Sequence, residues 1–335
     1  MRKLSTILGL AALLPASTGV LGTPKALTPN DIVAAASDWV RIAPSDLVVM
    51  ELPPDKAGRR RVVIQLIPAP FSQGWVGNIR TLVAARWYDG IAVVRVQDNY
   101  VVQWGDPDGE VPDKAKALPA GLKVVSESDY ASAYADLNPA QIAVPVAGNT
   151  EDGKKHAPLV HVNILDRLVP RDSYASFTGH TDTGWPVGLD GAHVWPVHCY
   201  GMVGVGRNIS PDTGTGAELY VVIGHAPRQL DRNIALVGRV IAGIEHLSSL
   251  PRGTGNLGFY ATPAQRTPIL SVRMGHEVAD LPAYQYLSTK SADFAAYADK
   301  RANREDDFYI QPAGGVDVCN VPVPVRVADT ARARP

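Results

Sequence analysis

The chain has 335 residues, of which 46% are hydrophobic, enough for one large domain or two ordinary ones with a sizeable core. Its 32 Lys and Arg residues are balanced by 33 Asp and Glu residues and spread along the chain, so we predict no nucleic-acid partner. The 30 glycines and 27 prolines, together with short Val- and Ile-rich runs between turn signals, favour a mainly β fold over a helical one.

Residues 1–22 have the layout of a secretory signal peptide. Arg2 and Lys3 precede an apolar run over residues 4–14, and small residues follow it. This run is too short and too interrupted to span a bilayer comfortably, and no later run is long and apolar enough. We therefore expect cleavage within residues 16–26, export to the periplasm, and no membrane span in the mature protein. An N-terminal anchor or a buried helix is the alternative.

The next elements are predicted from hydrophobic spacing. Residues 25–45 form an N-terminal helical segment in this prediction, because a capping residue precedes an Ala-rich helical pattern. Leu47 to Leu52 and Arg61 to Ile67 flank a turn rich in Pro and Gly, which indicates an antiparallel hairpin. Asn78 to Tyr88 carries apolar residues at helical spacing and is predicted to be a helix.

A second hairpin is predicted from Ala92 to Val96 and from Tyr100 to Trp104. A short turn between the two strands allows Arg95 and Gln103 to lie on one face of the sheet. A guanidinium in a half-buried strand has two explanations. It is either an edge-strand residue in a surface ion pair, or a functional group whose plane Gln103 holds in orientation.

The remainder of the chain divides into an insertion, a return of strands and a C-terminal extension. Residues 107–197 are polar and rich in Pro and Gly, so we predict a long loop insertion with a short helix around Asp129 to Ala135. Residues 278–335 are predicted to be an extra C-terminal helix, over Pro282 to Arg304, and a tail. Between these regions we predict strands at Gly201–Gly206, Leu219–Ile223, Ala235–Val240 and Ile269–Met274, and a short helix at Ile241–Leu247.

Cys199 and Cys319 are the two cysteines of the chain. In an oxidising compartment they either pair or remain two independent buried thiols, and their spacing leaves both outcomes open. Pairing would close a loop of roughly 120 residues, which stabilises the fold by roughly 4–5 kcal/mol in the chain-entropy model.

Two short motifs are better explained as loops than as functional sites. Residues 253–258 fit Gly-x-Gly-x-x-Gly, but they follow Leu-Pro-Arg instead of a strand and enter no helical pattern. Asp-Thr-Gly occurs at Asp182 and at Asp212, too close together for the two lobes of an aspartic protease. Turns in which the Asp side chain bonds its own backbone account for both.

No metal, cofactor or covalent nucleophile is predicted. His193, His198 and Cys199 lie close in sequence, but no carboxylate-rich or Cys-x-x-Cys context supports a metal site. The Gly-x-Ser-x-Gly elbow of hydrolases is absent from the sequence.

Three separate blocks share the motifs of one family at matching spacing. WYDGIAVVRVQDNYVVQWGDPDG resembles a Tyr-x-Gly turn, an aromatic-His-Arg strand, a short turn, an aromatic residue and then Gln-Gly-Gly-Asp-Pro. RVVIQLIPAPFSQGWVGNIRTLV lies upstream, and GMVGVGRNISPDTGTGAELYVVIGHAPRQLDRNIALVGRVIAGIEHL, which parallels Gly-Ser-Gln-Phe-Phe-Ile and Leu-Asp motifs, lies downstream. Together they resemble the cyclophilin-type peptidyl-prolyl cis-trans isomerases over roughly Leu47 to Met274, except for the insertion.

The resemblance implies a closed eight-stranded antiparallel barrel capped by two helices, over residues 46–277. It also implies isomerisation of X–Pro bonds in exported, proline-containing polypeptides, without a covalent intermediate, cofactor or metal. Carried over by position, Arg95 is the donor that stabilises the twisted amide and Gln103 orients it. The substrate-binding positions are Tyr100, Val101, Arg207, Asn208, Glu218, Tyr220, Leu230 and Ile234.

The chain departs from the family pattern at four places near the site. Val94 replaces the His before the Arg, Trp104 replaces the first Gly after the Gln, Gln229 stands where many members have Trp, and Ile234 replaces a pocket His. These changes predict an altered rate and peptide preference, with Trp104 reshaping the site. Two alternatives stay open: a chaperone that binds proline segments without catalysis, and a partner-docking module. The oligomeric state is not predicted.

Overall fold

A computed structural model describes residues 34–137, 142–143, 172–304 and 308–328. These residues belong to one of the two units into which the chain divides, residues 32–335. The predicted signal peptide lies outside the described residues, as does the first part of the predicted N-terminal helical segment. Among the described residues, no helix has the length and apolar character needed to cross a membrane.

Strands dominate the described part of the chain, which confirms the mainly β prediction. The α-helices there are α1 (Gln73–Ala84), α2 (Glu245–Ser248) and α3 (Ala292–Ala302). The strands are β1 (Trp39–Arg41), β2 (Leu47–Asp55), β3 (Gly58–Leu66), β4 (Ala92–Val96), β5 (Val101–Gly105), β6 (Ser132–Ala133), β7 (Ile142–Ala143), β8 (Phe177–Thr181), β9 (Pro186–Leu189), β10 (His193–Pro196), β11 (Met202–Val205), β12 (Leu219–Val222), β13 (Leu236–Ala242), β14 (Thr267–Pro268), β15 (Ser271–Met274), β16 (Tyr284–Leu287) and β17 (Val325–Val327).

The largest sheet is antiparallel and has the order β14-β4-β5-β12-β11-β13-β3-β2-β15. Its two edge strands are successive pieces of one segment, separated only by Ile269 and Leu270. The Ile269 amide donates to the Ile91 carbonyl (2.8 Å), and the Leu270 amide donates to the Glu51 carbonyl (2.9 Å). The sheet is therefore curled. The predicted closed barrel of eight strands is wrong: the sheet has nine strands, because the last predicted strand splits where it passes from β4 to β2.

The main core lies on one face of this sheet. Alternate residues of β2, such as Val48 and Met50, point into the main core with less than 5% exposure, as expected from the period of two in a strand. Leu47, the first residue of β2, packs in a second cluster with Ile42 and Tyr286 on the other face. Both faces of β2 are thus covered.

Helix α1 contributes to the main core but starts earlier than the sequence pattern predicts. Trp75, on its first turn, is fully buried and donates a hydrogen bond from Nε1 to the Thr213 carbonyl (3.0 Å). The helix ends at Ala84, Ala85 follows as its C-cap, and Arg86 then takes a positive φ of 56°. Trp87 is still buried, so its apolar character extended the predicted helix past its true end.

The insertion contains a second sheet, so its prediction as a long loop is wrong over β6 to β10. Five short strands pair there in the order β6-β10-β9-β8-β7. Arg239 of β13 is buried and donates to Gln65 Oε1 (3.0 Å) and to the Gly184 carbonyl (2.5 Å). Its guanidinium lies 4.5 Å from the ring centre of Trp185, and burial lowers its pKa to about 10. This side chain joins the large sheet to the insertion.

The third sheet, β1-β16-β17, brings the two ends of the described chain together. The helical prediction is wrong for the described residues before 46, since Ala36–Asp38 is a 3-10 turn and β1 follows it. The predicted C-terminal helix is correct only from Ala292, where Ser291 caps α3 by accepting from the Phe294 amide (3.1 Å). Tyr284–Leu287, within the predicted helix, form β16 instead.

The structure joins Cys199 to Cys319 in a disulfide, which is one of the two outcomes left open by the sequence. Cys199 lies just before β11, and Cys319 lies in a short 3-10 turn, Val318–Asn320. The bond therefore ties the C-terminal segment to the large sheet beside His198.

Candidate active site

Arg95 and Gln103 face each other on neighbouring strands of the large sheet. They are direct partners in the antiparallel pair of β4 and β5. The register shifts between Val93 and Arg95, so β4 carries one extra residue at this point. Such a bulge re-aims the side chains that follow it. The predicted shared face of Arg95 and Gln103 therefore depends on this local irregularity.

The Arg95 guanidinium is held on three sides. Its Nη1 donates to Gln103 Oε1 (2.9 Å), its Nε donates to the Leu257 carbonyl (2.7 Å), and its Nη2 donates to Gln97 Oε1. The rings of Tyr100 and Phe259 lie 5.6 and 5.3 Å away from it. Burial lowers its pKa, yet the group stays charged because an arginine does not deprotonate in proteins.

These three bonds use three of the five N–H groups of the guanidinium and leave one on each terminal nitrogen. Within the described part of the chain, Arg95 takes part in no ion pair. The surface ion-pair explanation is therefore wrong for this residue.

Glu218 determines which way the Gln103 amide points. Gln103 Nε2 donates to Glu218 Oε1 at 2.5 Å. A carboxylate only accepts hydrogen bonds, so the amide nitrogen faces Glu218 and the amide oxygen faces Arg95. Burial raises the pKa of Glu218, while the bond from Gln103 and the charge of Arg95 partly counteract that rise.

A small pocket of about 100 Å³ adjoins these groups. It is well below the roughly 300–1,000 Å³ of pockets for drug-sized ligands, so it suits a single small ring. Eight of the ten predicted site residues line it. The lining residues are Arg95, Tyr100, Val101, Gln103, Gly206, Arg207, Tyr220, Leu230 and Ile234.

Asn208 and Glu218 are the predicted substrate-binding residues that do not line the pocket. The Asn208 amide donates to Asp212 Oδ2 (2.9 Å), and its carbonyl accepts from Arg207 (2.7 Å), so its backbone is occupied within a turn. Glu218 bonds Gln103 and acts on the pocket through that residue.

Tyr220 lines the pocket, and its hydroxyl belongs to a buried network of polar side chains. The hydroxyl lies 2.8 Å from His198 Nε2, and His198 Nδ1 lies 2.8 Å from Asp231 Oδ1. Arg228 donates from Nε to Asp231 Oδ2 (2.6 Å) and binds Asp172 with both terminal nitrogens (2.7 and 3.0 Å). These hydrogen bonds hold the Tyr220 ring in one orientation and link the pocket to the insertion.

The sequence could not reveal this hydrogen-bonded network, because its residues come from separate segments of the polypeptide. The sequence offers His198 only as a metal ligand without supporting context. Within the described residues, no group of three His, Cys, Asp or Glu side chains is arranged to hold a metal ion.

The glycine-rich loop at residues 253–260 is a wall of the site that the sequence did not predict. The Gly253 amide donates to the Val96 carbonyl and the Tyr260 amide donates to the Val94 carbonyl, both at 2.9 Å, so the loop lies along β4. Leu257 has a positive φ of 53° and directs its carbonyl at Arg95. A backbone carbonyl leaves no trace in the residue type, so spacing alone could not identify Leu257.

Trp104 does not reshape the pocket, contrary to the sequence prediction. It follows Gln103 in β5 and therefore points to the opposite face of the sheet. Its side chain is 1% exposed and packs in the main core. Gln229 does not line the pocket either.

Comparison with known proteins agrees with this arrangement. Residues 57–274 match the profile of the family described as cyclophilin type peptidyl-prolyl cis-trans isomerase/CLD. A search of curated protein sequences finds no match.

Among solved structures, the chain is similar to cyclophilin AquaCyp293 from Hirschia baltica, with a TM-score of 0.60 and 20% identity, over 90% of this chain and 99% of that one. It is also matched, at a TM-score of 0.36 and 12% identity, to a Cryptosporidium parvum cyclophilin type peptidyl-prolyl cis-trans isomerase, over 68% of this chain and 96% of that one.

The first of these structures supports the fold, and the family profile spans more than half of the chain. The chain therefore belongs to the cyclophilin-type peptidyl-prolyl cis-trans isomerases, the enzymes that interconvert the cis and trans forms of the peptide bond before proline.

Proposed function

We propose that this chain isomerises X–Pro bonds of exported proteins by using Arg95 to stabilise the twisted amide, without a covalent intermediate or a metal. One observation carries the proposal. A firmly held guanidinium borders a pocket sized for one small ring, with one N–H group on each terminal nitrogen left for a substrate.

The chemistry of the bond explains why such a group is sufficient. An X–Pro bond prefers the trans form by only about 0.5–1 kcal/mol, but rotation meets a barrier of roughly 18–20 kcal/mol because amide resonance must be broken. When the bond twists, the prolyl nitrogen regains a lone pair that accepts a hydrogen bond. A donor that bonds this nitrogen only in the twisted state lowers the barrier without stabilising the ground state.

The surroundings of Arg95 suit it to this task. Its contacts with Gln103, Leu257 and the two rings form before any substrate arrives, so little reorganisation accompanies the reaction. The apolar side chains of Val101, Leu230 and Ile234 offer the proline ring a surface to pack on while the neighbouring carbonyl turns. A preorganised donor of this kind contributes about 10²–10³ in rate.

Export of the protein is supported by two features. Residues 1–22 combine a basic start with an apolar run, and the Cys199–Cys319 disulfide suits an oxidising compartment. Cell fractionation followed by mass spectrometry of the N-terminus tests this part. We expect a mature chain in the periplasm that begins within residues 17–27, and a full-length cytoplasmic chain would contradict it.

Exchange NMR on a peptide with one X–Pro bond tests the catalytic part. We expect wild-type protein to accelerate cis-trans exchange and Arg95→Ala to lose about 10²–10³ of kcat/KM. The matched control is Arg41→Ala, which removes an exposed arginine of β1 and should leave the rate unchanged. Equal acceleration by wild type and Arg95→Ala would contradict the Arg95 role. Peptide binding without acceleration by the wild type would instead favour the non-catalytic chaperone.

A further inference from the structure

A second arginine, Arg207, also lines the pocket. It follows β11 by two residues, whereas Arg95 lies on β4. Two strands, β5 and β12, separate β4 from β11 in the sheet. Neighbouring strands lie about 4.8 Å apart, so the two arginines approach the pocket from different sides.

Arg207 is fixed by neutral partners alone. Its Nε and Nη2 donate to the Asn233 carbonyl (3.0 and 2.9 Å), and its Nη1 donates to the Asn208 carbonyl (2.7 Å). These bonds again leave one N–H group on each terminal nitrogen. In the described portion of the chain, no carboxylate forms an ion pair with Arg207.

The acidic groups nearby are engaged elsewhere. Asp212 accepts from the Asn208 and Gly214 amides, both at 2.9 Å. These two bonds, followed by the charge of Arg207, lower the pKa of Asp212. Glu218 is bonded to Gln103 on the side of Arg95. The guanidinium of Arg207 is thus oriented and still free to bind an incoming anion.

We propose that Arg207 selects substrates that carry a carboxylate side chain, Asp or Glu, directly beside the proline. This inference rests on the proposed function, because it requires the proline ring to occupy the pocket. Consecutive Cα atoms are 3.8 Å apart, so a neighbour of the bound proline lies close to the residues that line the pocket, among them Arg207. A guanidinium and a carboxylate fit each other through two parallel hydrogen bonds, which a Gln or Lys side chain does not reproduce.

The test compares peptides that differ only in the residue beside proline. In one series the residue before the proline is Glu, Gln or Lys, and in the other series the residue after it is varied in the same way. Exchange NMR gives kcat/KM for each peptide. In at least one series, the wild-type ratio of Glu to Lys peptides should be about three to ten, the size expected for an exposed ion pair and its repulsive counterpart. The ratio should fall as salt is added.

Three variants separate the charge of Arg207 from any structural role. Arg207→Lys keeps the charge and should retain a ratio above one. Arg207→Glu should bring the ratio below one. Arg41→Glu makes the same charge change on exposed β1 and should leave the wild-type ratio intact. Thermal unfolding establishes that each variant is folded.

The outcomes distinguish this inference from the proposed function. If the Gln peptides are isomerised but the Glu-to-Lys ratio is the same for wild type and Arg207→Glu, the inference is overturned and the proposed function stands. If no peptide is isomerised, the proposed function fails, and peptide affinities then decide the inference. A Glu preference in affinity that Arg207→Glu reverses would support it, and affinities independent of charge would overturn it.

Discussion

Gly204→Ala tests whether the absence of a side chain at Gly204 positions Tyr220 in the pocket. A Cβ atom added to Gly204 would lie 2.3 Å from both Cζ and the hydroxyl oxygen of Tyr220, whereas real Cβ contacts stay above 3.0 Å. The ring must therefore move by about 0.7 Å, the difference between these two distances. Gly204 thus makes room for the tyrosine that lines the pocket.

The displacement has two costs. The Tyr220 hydroxyl leaves its partner His198 Nε2 (2.8 Å), and a buried hydroxyl without a partner costs about 1–3 kcal/mol. Overpacking of the neighbouring side chains costs about 1–3 kcal/mol more. We expect the free energy of unfolding to fall by about 2–6 kcal/mol. The open space beside the ring is the pocket itself, so proline should bind less well and kcat/KM should drop at least about tenfold, the equivalent of 1.4 kcal/mol.

Urea unfolding followed by circular dichroism measures the first effect, and exchange NMR on an X–Pro peptide measures the second. Gly77→Ala is the matched control, because Gly77 lies in helix α1 with nothing within 4 Å of an added Cβ atom. That change should stabilise the protein by about 0.5–1 kcal/mol through helix propensity. A Gly204→Ala protein that unfolds and isomerises like the wild type would refute this role of Gly204.

Three further predictions concern other parts of the structure. Replacement of both Cys199 and Cys319 by Ser should lower the free energy of unfolding by about 5 kcal/mol, since the bond closes 120 residues; an unchanged urea midpoint would count against this. Burial raises the pKa of Glu218 above its ordinary 4.5. The folded protein is therefore more stable when Glu218 is protonated, and this contribution to the free energy of unfolding is lost as pH rises. Glu218→Gln should therefore exceed wild type in stability at neutral pH, with the difference closing as pH falls below 4.5; a gap constant with pH would contradict it. Phe259→Ala removes one ring beside Arg95 and should reduce kcat/KM about two- to fivefold, with little change in stability because the ring is 40% exposed; an unaltered rate would argue against that contact.

The central hairpin was predictable because its elements are local. Alternating apolar residues and a short turn indicate that Arg95 and Gln103 share a face, and the structure pairs them directly. What made the pair a candidate site was the match of three sequence blocks to one family. The roles of Leu257 and Phe259 were not predictable, since one acts through its backbone and both reach Arg95 from more than 160 residues away.

The insertion and the ends of the chain were predicted less well for physical reasons. Strands β6 to β10 have between two and five residues each and include Gly and Pro, so no strand-like period develops. Their stability comes from tertiary contacts, such as the packing of Trp185 and Val187 in the main core and the bonds of Arg239. The β16 strand was absorbed into a helical prediction because its apolar residues continue into those of α3.

The most direct test of the catalytic proposal is exchange NMR with wild type and Arg95→Ala at saturating peptide, where binding and on-enzyme rotation are measured separately. Because Arg95 is proposed to bond the prolyl nitrogen only in the twisted state, the rate of rotation on the enzyme should fall by about 10²–10³. The peptide dissociation constant should change by less than about fivefold, the scale of one exposed contact. A weakened affinity with an unchanged rate of rotation on the enzyme would contradict the account.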